Sequence, residues 1–133
     1  MQEQLTSLRE VFSLFEDPKD KFVQLMDMAK ESDQLENNEK VKENKINGCT
    51  SRAWVVAKQN SDKTYTFRTD SDSLIVKGLL TILEKVFSGQ TVDNILSMNS
   101  GDILHSIGLE KTITSQRTNG FSSAVQKIHN SLK

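Results

Sequence analysis

Between Leu74 and Phe87, apolar residues occupy nearly every face of a helical turn: Leu74, Ile75, Val76, Leu79, Leu80, Ile82, Leu83, Val86 and Phe87. A helix with one apolar stripe can lie on a surface, but one that is apolar almost all round has to be surrounded. The rest of the chain must therefore wrap this segment. Asp70-Ser71-Asp72-Ser73 precedes it with several side chains able to cap a helix, and Ser88-Gly89 closes it with a C-cap glycine. Gly78 inside it carries a propensity cost of about 1 kcal/mol relative to alanine, which predicts close packing at that point.

The flanking sequence supplies the wrapping. Leu5, Leu8, Phe12 and Phe15 recur at helical spacing and predict a first amphipathic helix over 5–16. Asp17-Pro18 breaks the chain and restarts it: the aspartate caps, and the proline fits the first turn, where its missing N–H does no harm. Phe22, Leu25, Met26 and Ala29 form the stripe of a second helix. Residues 31–45 lose this pattern and alternate in charge, as a solvated connection does. Ala53–Lys58 and Thr64–Thr69 read as strands joined by the turn-like Asn60-Ser61-Asp62-Lys63. A lone hairpin is marginal, so a third strand is expected, most simply from Lys42–Asn47. Thr91 and Ser100 are expected to cap two short helices, the second ending at Gly108. A last helix begins near Thr114-Ser115 and carries Phe121, Ala124, Val125, Ile128 and Leu132 as its stripe. Gly120 early in that helix predicts something approaching the backbone closely. The class is α+β: helices packed around a small, about three-stranded antiparallel sheet, in a single domain spanning 1–133.

Composition sets limits on function. A net charge of −1 without a basic stripe excludes a nucleic-acid footprint. No apolar run approaches the roughly 20 residues of a membrane span, and the acidic N-terminus is unlike a secretion signal. One cysteine forms no internal disulfide, so a cytoplasmic, reducing location is the expectation.

That cysteine is also the chemical focus. Gly48-Cys49-Thr50-Ser51-Arg52-Ala53-Trp54 holds the only thiol and the only tryptophan. A lone cysteine is often a small buried hydrophobe. Metal binding needs three or four ligands at suitable spacing, and Cys49, His105 and His129 make no such motif. Nothing in the sequence brings either histidine to Cys49 for hydrolase chemistry, no phosphate loop is present, and Gly-Cys-x-Ser is not a peroxidatic motif. Intermolecular thiol transfer is left, with Arg52 and Arg117 as candidate positive charges, although Arg117 also reads as a plain solvated charge. By its place after the expected third strand, Cys49 sits on a loop at one end of the sheet.

The segment 48–54 resembles the Gly-Cys-x-Ser-x-x-Trp signature of SufE-type sulfur acceptors, the cysteine desulfuration proteins. Asp70-Ser71-Asp72-Ser73-Leu74-Ile75-Val76-Lys77-Gly78-Leu79 is similar to that family's Ser-Asp-…-Ile-Val-Lys-Gly segment, and Thr114-Ser115-Gln116-Arg117-Thr118-Asn119-Gly120 to its Ser-x-Arg-x-Asn-Gly segment. The resemblance covers essentially the whole chain. The sequence departs from the pattern at Met28-Ala29-Lys30, where relatives usually have Leu-Gly.

The resemblance implies a non-enzymatic carrier that accepts sulfane sulfur as a persulfide on Cys49, stimulates a cysteine desulfurase of SufS or CsdA type, and passes the sulfur to an iron-sulfur scaffold such as a SufBCD-like complex. It implies supporting roles for Gly48, Ser51, Arg52, Trp54, Asp72, Arg117, Asn119 and Gly120. It implies no cofactor on this chain, since the pyridoxal phosphate belongs to the desulfurase. The alternative is a regulatory module that binds the desulfurase without carrying sulfur.

Overall fold

The structure, a computed structural model, describes residues 1–49 and 51–132. Among these are six helices and a two-stranded antiparallel sheet. Helices α1 (Gln2–Ser13) and α2 (Pro18–Glu31) come first. Strands β1 (Ala53–Gln59) and β2 (Tyr65–Ser71) follow, then α3 (Leu74–Phe87), α4 (Val92–Leu96), α5 (Ser100–Ile107) and α6 (Ser115–Asn130).

Helix α3 is the centre of the molecule, as its sequence requires. It packs against α2 and β2 most extensively and also meets α1 and α6. Ile82, Leu83, Val86 and Phe87 are fully buried. Gly78 allows the closest approach: a Cβ there would stand 2.8 Å from the carbonyl carbon of Leu25 in α2, and closer still to its oxygen. The side chain of Asp17 caps α2 by accepting from the N–H of Lys19, and Ser73 caps α3 by accepting from Val76. Ser88 is the C-cap residue of α3, and Gly89 follows with φ +82°. Helix α1 ends at Ser13 rather than near residue 16, with Leu14 79 % exposed ahead of the Asp17-Pro18 restart. Asn99, not Ser100, caps α5, its side chain accepting from Asp102.

The expected third strand is reduced to a single bridge. Lys45 pairs with Trp54, and the Ile46 N–H donates to the Ala53 carbonyl at 2.8 Å. Lys42–Asn44 then coils into a 3-10 turn instead of continuing along β1. Two side-chain bonds hold it there: Lys127 Nζ to the Glu43 carbonyl at 2.6 Å, and Asn44 Nδ2 to the Glu39 carbonyl at 2.9 Å. The connection 31–45 is also more built than its charge pattern predicts. Leu35 is buried and its N–H donates to the Asp70 carboxylate at 3.1 Å. Glu39 receives both ends of the Arg68 guanidinium, at 2.7 and 2.9 Å.

The two-stranded sheet is stable because one face and the outer edge of β2 are occupied. Ala53, Val55, Tyr65 and Phe67 join the core. Along the free side of β2, Tyr65 exchanges backbone bonds with Gly89 and Gln90, the Phe67 N–H donates to Ser88 Oγ at 3.0 Å, and Lys77 Nζ donates to the Thr69 carbonyl at 2.5 Å. Lys77 is only 3 % exposed. Its ammonium also reaches the Asp33 carbonyl at 3.0 Å and Glu84 Oε2 at 3.1 Å, so this one side chain ties β2, α3 and the exit of α2 together.

Candidate functional site

The chain entering β1 makes a turn at Asn47-Gly48 and then presents Cys49 before the strand starts at Ala53. Gly48 has φ +92°, a conformation that a Cβ disfavours. It is also pressed on α6: a Cβ at Gly48 would lie 2.6 Å from Ser123 Oγ. One turn earlier in α6, a Cβ at Gly120 would lie 3.2 Å from Cys49 Sγ. The close approach that the sequence anticipates at Gly120 is therefore the approach of the thiol itself. Cys49 Sγ–H donates weakly to the Gly120 carbonyl, at 3.7 Å.

Cys49 is half-buried, and burial pushes its thiol up from the ordinary cysteine range. Burial is the one cause of the shift, and among the described residues no cation offsets it. Arg52 pairs with Asp72, Nε to Oδ2 at 2.7 Å, and its guanidinium carbon stands 5.7 Å from the centre of the Trp54 ring. Lys40 Nζ lies 5.6 Å from the same ring. The guanidinium carbon of Arg117 is 5.9 Å from the Phe22 ring centre. In this geometry the thiol is protonated at neutral pH and weakly nucleophilic.

Beside the sulfur lies a cavity of about 400 Å³. Cys49 and Ser51 line it from the turn, Ser73, Val76, Leu79 and Leu80 from α3, and Thr114, Ser115, Gln116, Arg117, Gly120 and Phe121 from the start of α6. Of the residues singled out in the sequence, Cys49, Ser51, Arg117 and Gly120 share this cavity, and Gly48 holds the turn against α6. Arg52, Trp54 and Asp72 form an adjoining cluster that joins the start of β1 to the end of the hairpin. There the Asp72 N–H and the Ser71 hydroxyl both donate to the Arg52 carbonyl, at 3.1 and 2.8 Å. Asn119 is exposed on α6 and is not among the lining residues. Thr50 lies outside the described residues.

The apolar wall, Val76, Leu79, Leu80 and Phe121, goes unremarked as site in the sequence, because an apolar stripe carries no sign of whether it faces a cavity or a packed neighbour. Lys77 is missed for a different reason: its signal, one cation inside an all-apolar helix, is visible, but its partners come from three other elements. Among the described residues no group of three or more His, Cys, Asp or Glu side chains is arranged to hold a metal. His105 Nδ1 stands 2.7 Å from Glu110, and His129 Nε2 3.0 Å from the Ile95 carbonyl. No described helix is long and apolar enough to cross a membrane.

A family model described as "SufE: Fe-S metabolism associated domain" matches residues 6–132. An uncharacterized SufE-like protein of Rhizobium etli is 31% identical over 125 residues, covering 92% of this chain and 84% of its own. SufE-like protein 1, chloroplastic/mitochondrial, of Arabidopsis thaliana is 36% identical over 116 residues, which are 85% of this chain and 31% of that longer protein. A hypothetical protein from Thermus thermophilus, solved in solution, superposes with a TM-score of 0.76 at 17% identity, covering 96% of this chain and 91% of its own. That likeness speaks to the fold.

Proposed function

The chain belongs to the SufE family, the Fe-S metabolism associated domain, and on that footing we propose that it is a sulfur carrier whose acceptor is Cys49. The persulfide of a cysteine desulfurase is the donor. The Cys49 thiolate attacks the outer, sulfane sulfur of that persulfide. The donor's S–S bond breaks, and its electron pair leaves on the desulfurase thiolate, which takes up the proton that Cys49 gave away. Cys49 is left as a persulfide, with no external oxidant or reductant needed. The pyridoxal phosphate that frees sulfur from cysteine belongs to the desulfurase. A second transfer delivers the sulfur to an iron-sulfur scaffold, and removal of sulfur from the desulfurase speeds its turnover.

One observation carries this reading: three stretches far apart in sequence, 48–54, 70–79 and 114–120, all contribute to the cavity around the only cysteine. A purely structural cysteine needs no such cavity. The raised thiol pKa fits a carrier that stays inert until a partner draws Cys49 off α6. A reducing compartment suits such a thiol.

Incubation with a cysteine desulfurase and cysteine is expected to add sulfur-sized mass increments to Cys49, removable by reductant. A wild-type protein that stays unmodified beside a loaded desulfurase would sink the carrier reading. Cys49→Ser is expected to lose the stimulation of desulfurase turnover while keeping its circular dichroism. Full stimulation by Cys49→Ser would instead favour a regulatory module that carries no sulfur.

A further inference from the structure

The cavity beside Cys49 is far larger than its proposed cargo. One sulfur atom occupies no more space than a single water molecule, roughly 30 Å³, whereas the cavity measures about 400 Å³. Its lining is also divided. Val76, Leu79, Leu80 and Phe121 are apolar, while Ser51, Ser73, Thr114, Ser115, Gln116 and Arg117 are polar. Arg117 is the only charged side chain among the described lining residues. Among the described residues no ion pair involves it, and its one side-chain partner is the Phe22 ring, at 5.9 Å. Arg117, a half-buried residue with no counter-ion among the described residues and in one cavity with a nucleophile, is a seat for an anionic group, because its fixed fork of donors matches a carboxylate or an oxyanion.

We propose that this cavity binds small anionic carriers of sulfane sulfur, with the negative head on Arg117 and the outer sulfur toward Cys49, so that the chain takes sulfur from free persulfides as well as from a protein. This rests on Cys49 being a sulfur acceptor. The step balances as before: Cys49 Sγ bonds to the outer sulfur, the donor's S–S bond breaks, and the inner sulfur leaves as a thiolate that recovers the proton. With thiosulfate the leaving group is sulfite. The apolar wall holds the short carbon chain of an organic donor. The hydroxyls of Ser73, Thr114 and Ser115 offer further hydrogen bonds to its head.

The test uses two donors of matched length whose persulfide ends ionise alike: that of 3-mercaptopropionate, the anionic donor, which adds a carboxylate head, and that of 3-mercaptopropan-1-ol, whose head is neutral. Loading of Cys49 is followed by intact mass. In the wild type the anionic donor is expected to load about tenfold faster at equal concentration, with a rate that saturates. In Arg117→Met the preference is expected to fall to about unity, and in Arg117→Lys to return in part. Circular dichroism and the melting temperature show that each variant is folded. Equal loading by both donors in the wild type, or an undiminished preference in folded Arg117→Met, would overturn the proposal. Thiosulfate separates oxyanion from carboxylate: loading that is fast in the wild type and slow in Arg117→Met supports a general anion seat, and loading insensitive to Arg117 counts against one. A parallel arm with desulfurase and cysteine keeps the two readings apart. If that arm loads Cys49 while neither free donor is preferred, this inference falls alone. If Cys49 is loaded in no arm, the carrier reading falls with it.

Discussion

Cys49 Sγ lies 3.7 Å from the carbonyl oxygen of Gly120, and a Cβ added to Gly120 would stand 3.2 Å from that sulfur. The turn carrying the thiol and the first part of α6 are thus fitted to each other so closely that a Cβ at Gly120 would require the sulfur to give by a few tenths of an ångström. Glycine within a helix costs stability relative to alanine, so the fit comes at the helix's expense.

Gly120→Ala should therefore loosen the thiol without unfolding the chain. Alanine favours α6 by up to about 1 kcal/mol, while the new methyl crowds the sulfur. If crowding shifts the turn's equilibrium by about 1 kcal/mol, the accessible population rises about fivefold. Alkylation of Cys49 by iodoacetamide at pH 7.5 is expected to accelerate by about that factor, at an unchanged or higher melting temperature. An unchanged alkylation rate would mean that Gly120 does not hold the thiol in place.

The pH dependence of the same thiol follows from its burial. Burial raises its pKa, so the folded state holds the proton more tightly than the unfolded chain. That contribution to stability is fully present below the unfolded thiol's pKa and is lost as pH rises through the folded value. The alkylation profile of the folded protein is expected to have its midpoint above the ordinary cysteine value of about 8.5. Cys49→Ser should remove the corresponding alkaline loss from urea-unfolding curves measured between neutral pH and the alkaline limb. A midpoint at or below the ordinary value would show that a positive charge, not burial, governs the thiol.

The elements that local pattern determines were legible in the sequence, and those set by distant partners were not. Leu74–Phe87 is apolar all round and is central. Asp17 and Thr91 cap where their side chains predict, each accepting from a backbone N–H two or three residues on. The third strand failed because Lys42–Asn44 is pinned by Lys127, which lies 84 residues from the Glu43 carbonyl it meets. Asn99 displaced Ser100 as the cap of α5, a shift of one residue that short polar runs leave open. Within the site, the cysteine and the glycines were visible because each type has few structural uses. The cavity's apolar wall and the buried Lys77 depend on how α3 is turned, which local pattern does not fix.

Lys77 offers a stability test of that hidden tie. Its ammonium serves Glu84 Oε2 at 3.1 Å, the Asp33 carbonyl at 3.0 Å and the Thr69 carbonyl at 2.5 Å, and Glu84 is itself 19% exposed. The Thr69 hydroxyl donates to the same Glu84 oxygen. Lys77→Met keeps the aliphatic stem but takes the ammonium from two carbonyls and leaves the Glu84 carboxylate without its counter-ion, with the Thr69 hydroxyl still donating to it. Breaking a buried pair on one side costs about 3 kcal/mol or more. The urea midpoint should fall accordingly, and Lys77→Met with Glu84→Gln should recover at least about 1 kcal/mol, as coupled neighbours do. Additive losses in the double variant would show that the ammonium and carboxylate do not act as a pair.

Two helical glycines give opposite signs when changed to alanine. In Gly78→Ala the new Cβ meets Leu25 backbone, with the carbonyl carbon only 2.8 Å away. Backbone cannot swing aside as a side chain can, so α2 and α3 must separate. Overpacking of this kind costs about 1–3 kcal/mol, and the upper end applies here because α3 is the centre of the core. At Gly101 in α5 the nearest such atom is the Asn99 side-chain oxygen at 3.4 Å, an ordinary contact. Gly101→Ala should be neutral or stabilising by up to about 1 kcal/mol through helix propensity. Thermal and urea unfolding of the two variants side by side provide the measurement. Similar losses in both would mean that the approach of α2 to α3 at Gly78 is no tighter than an ordinary helix contact.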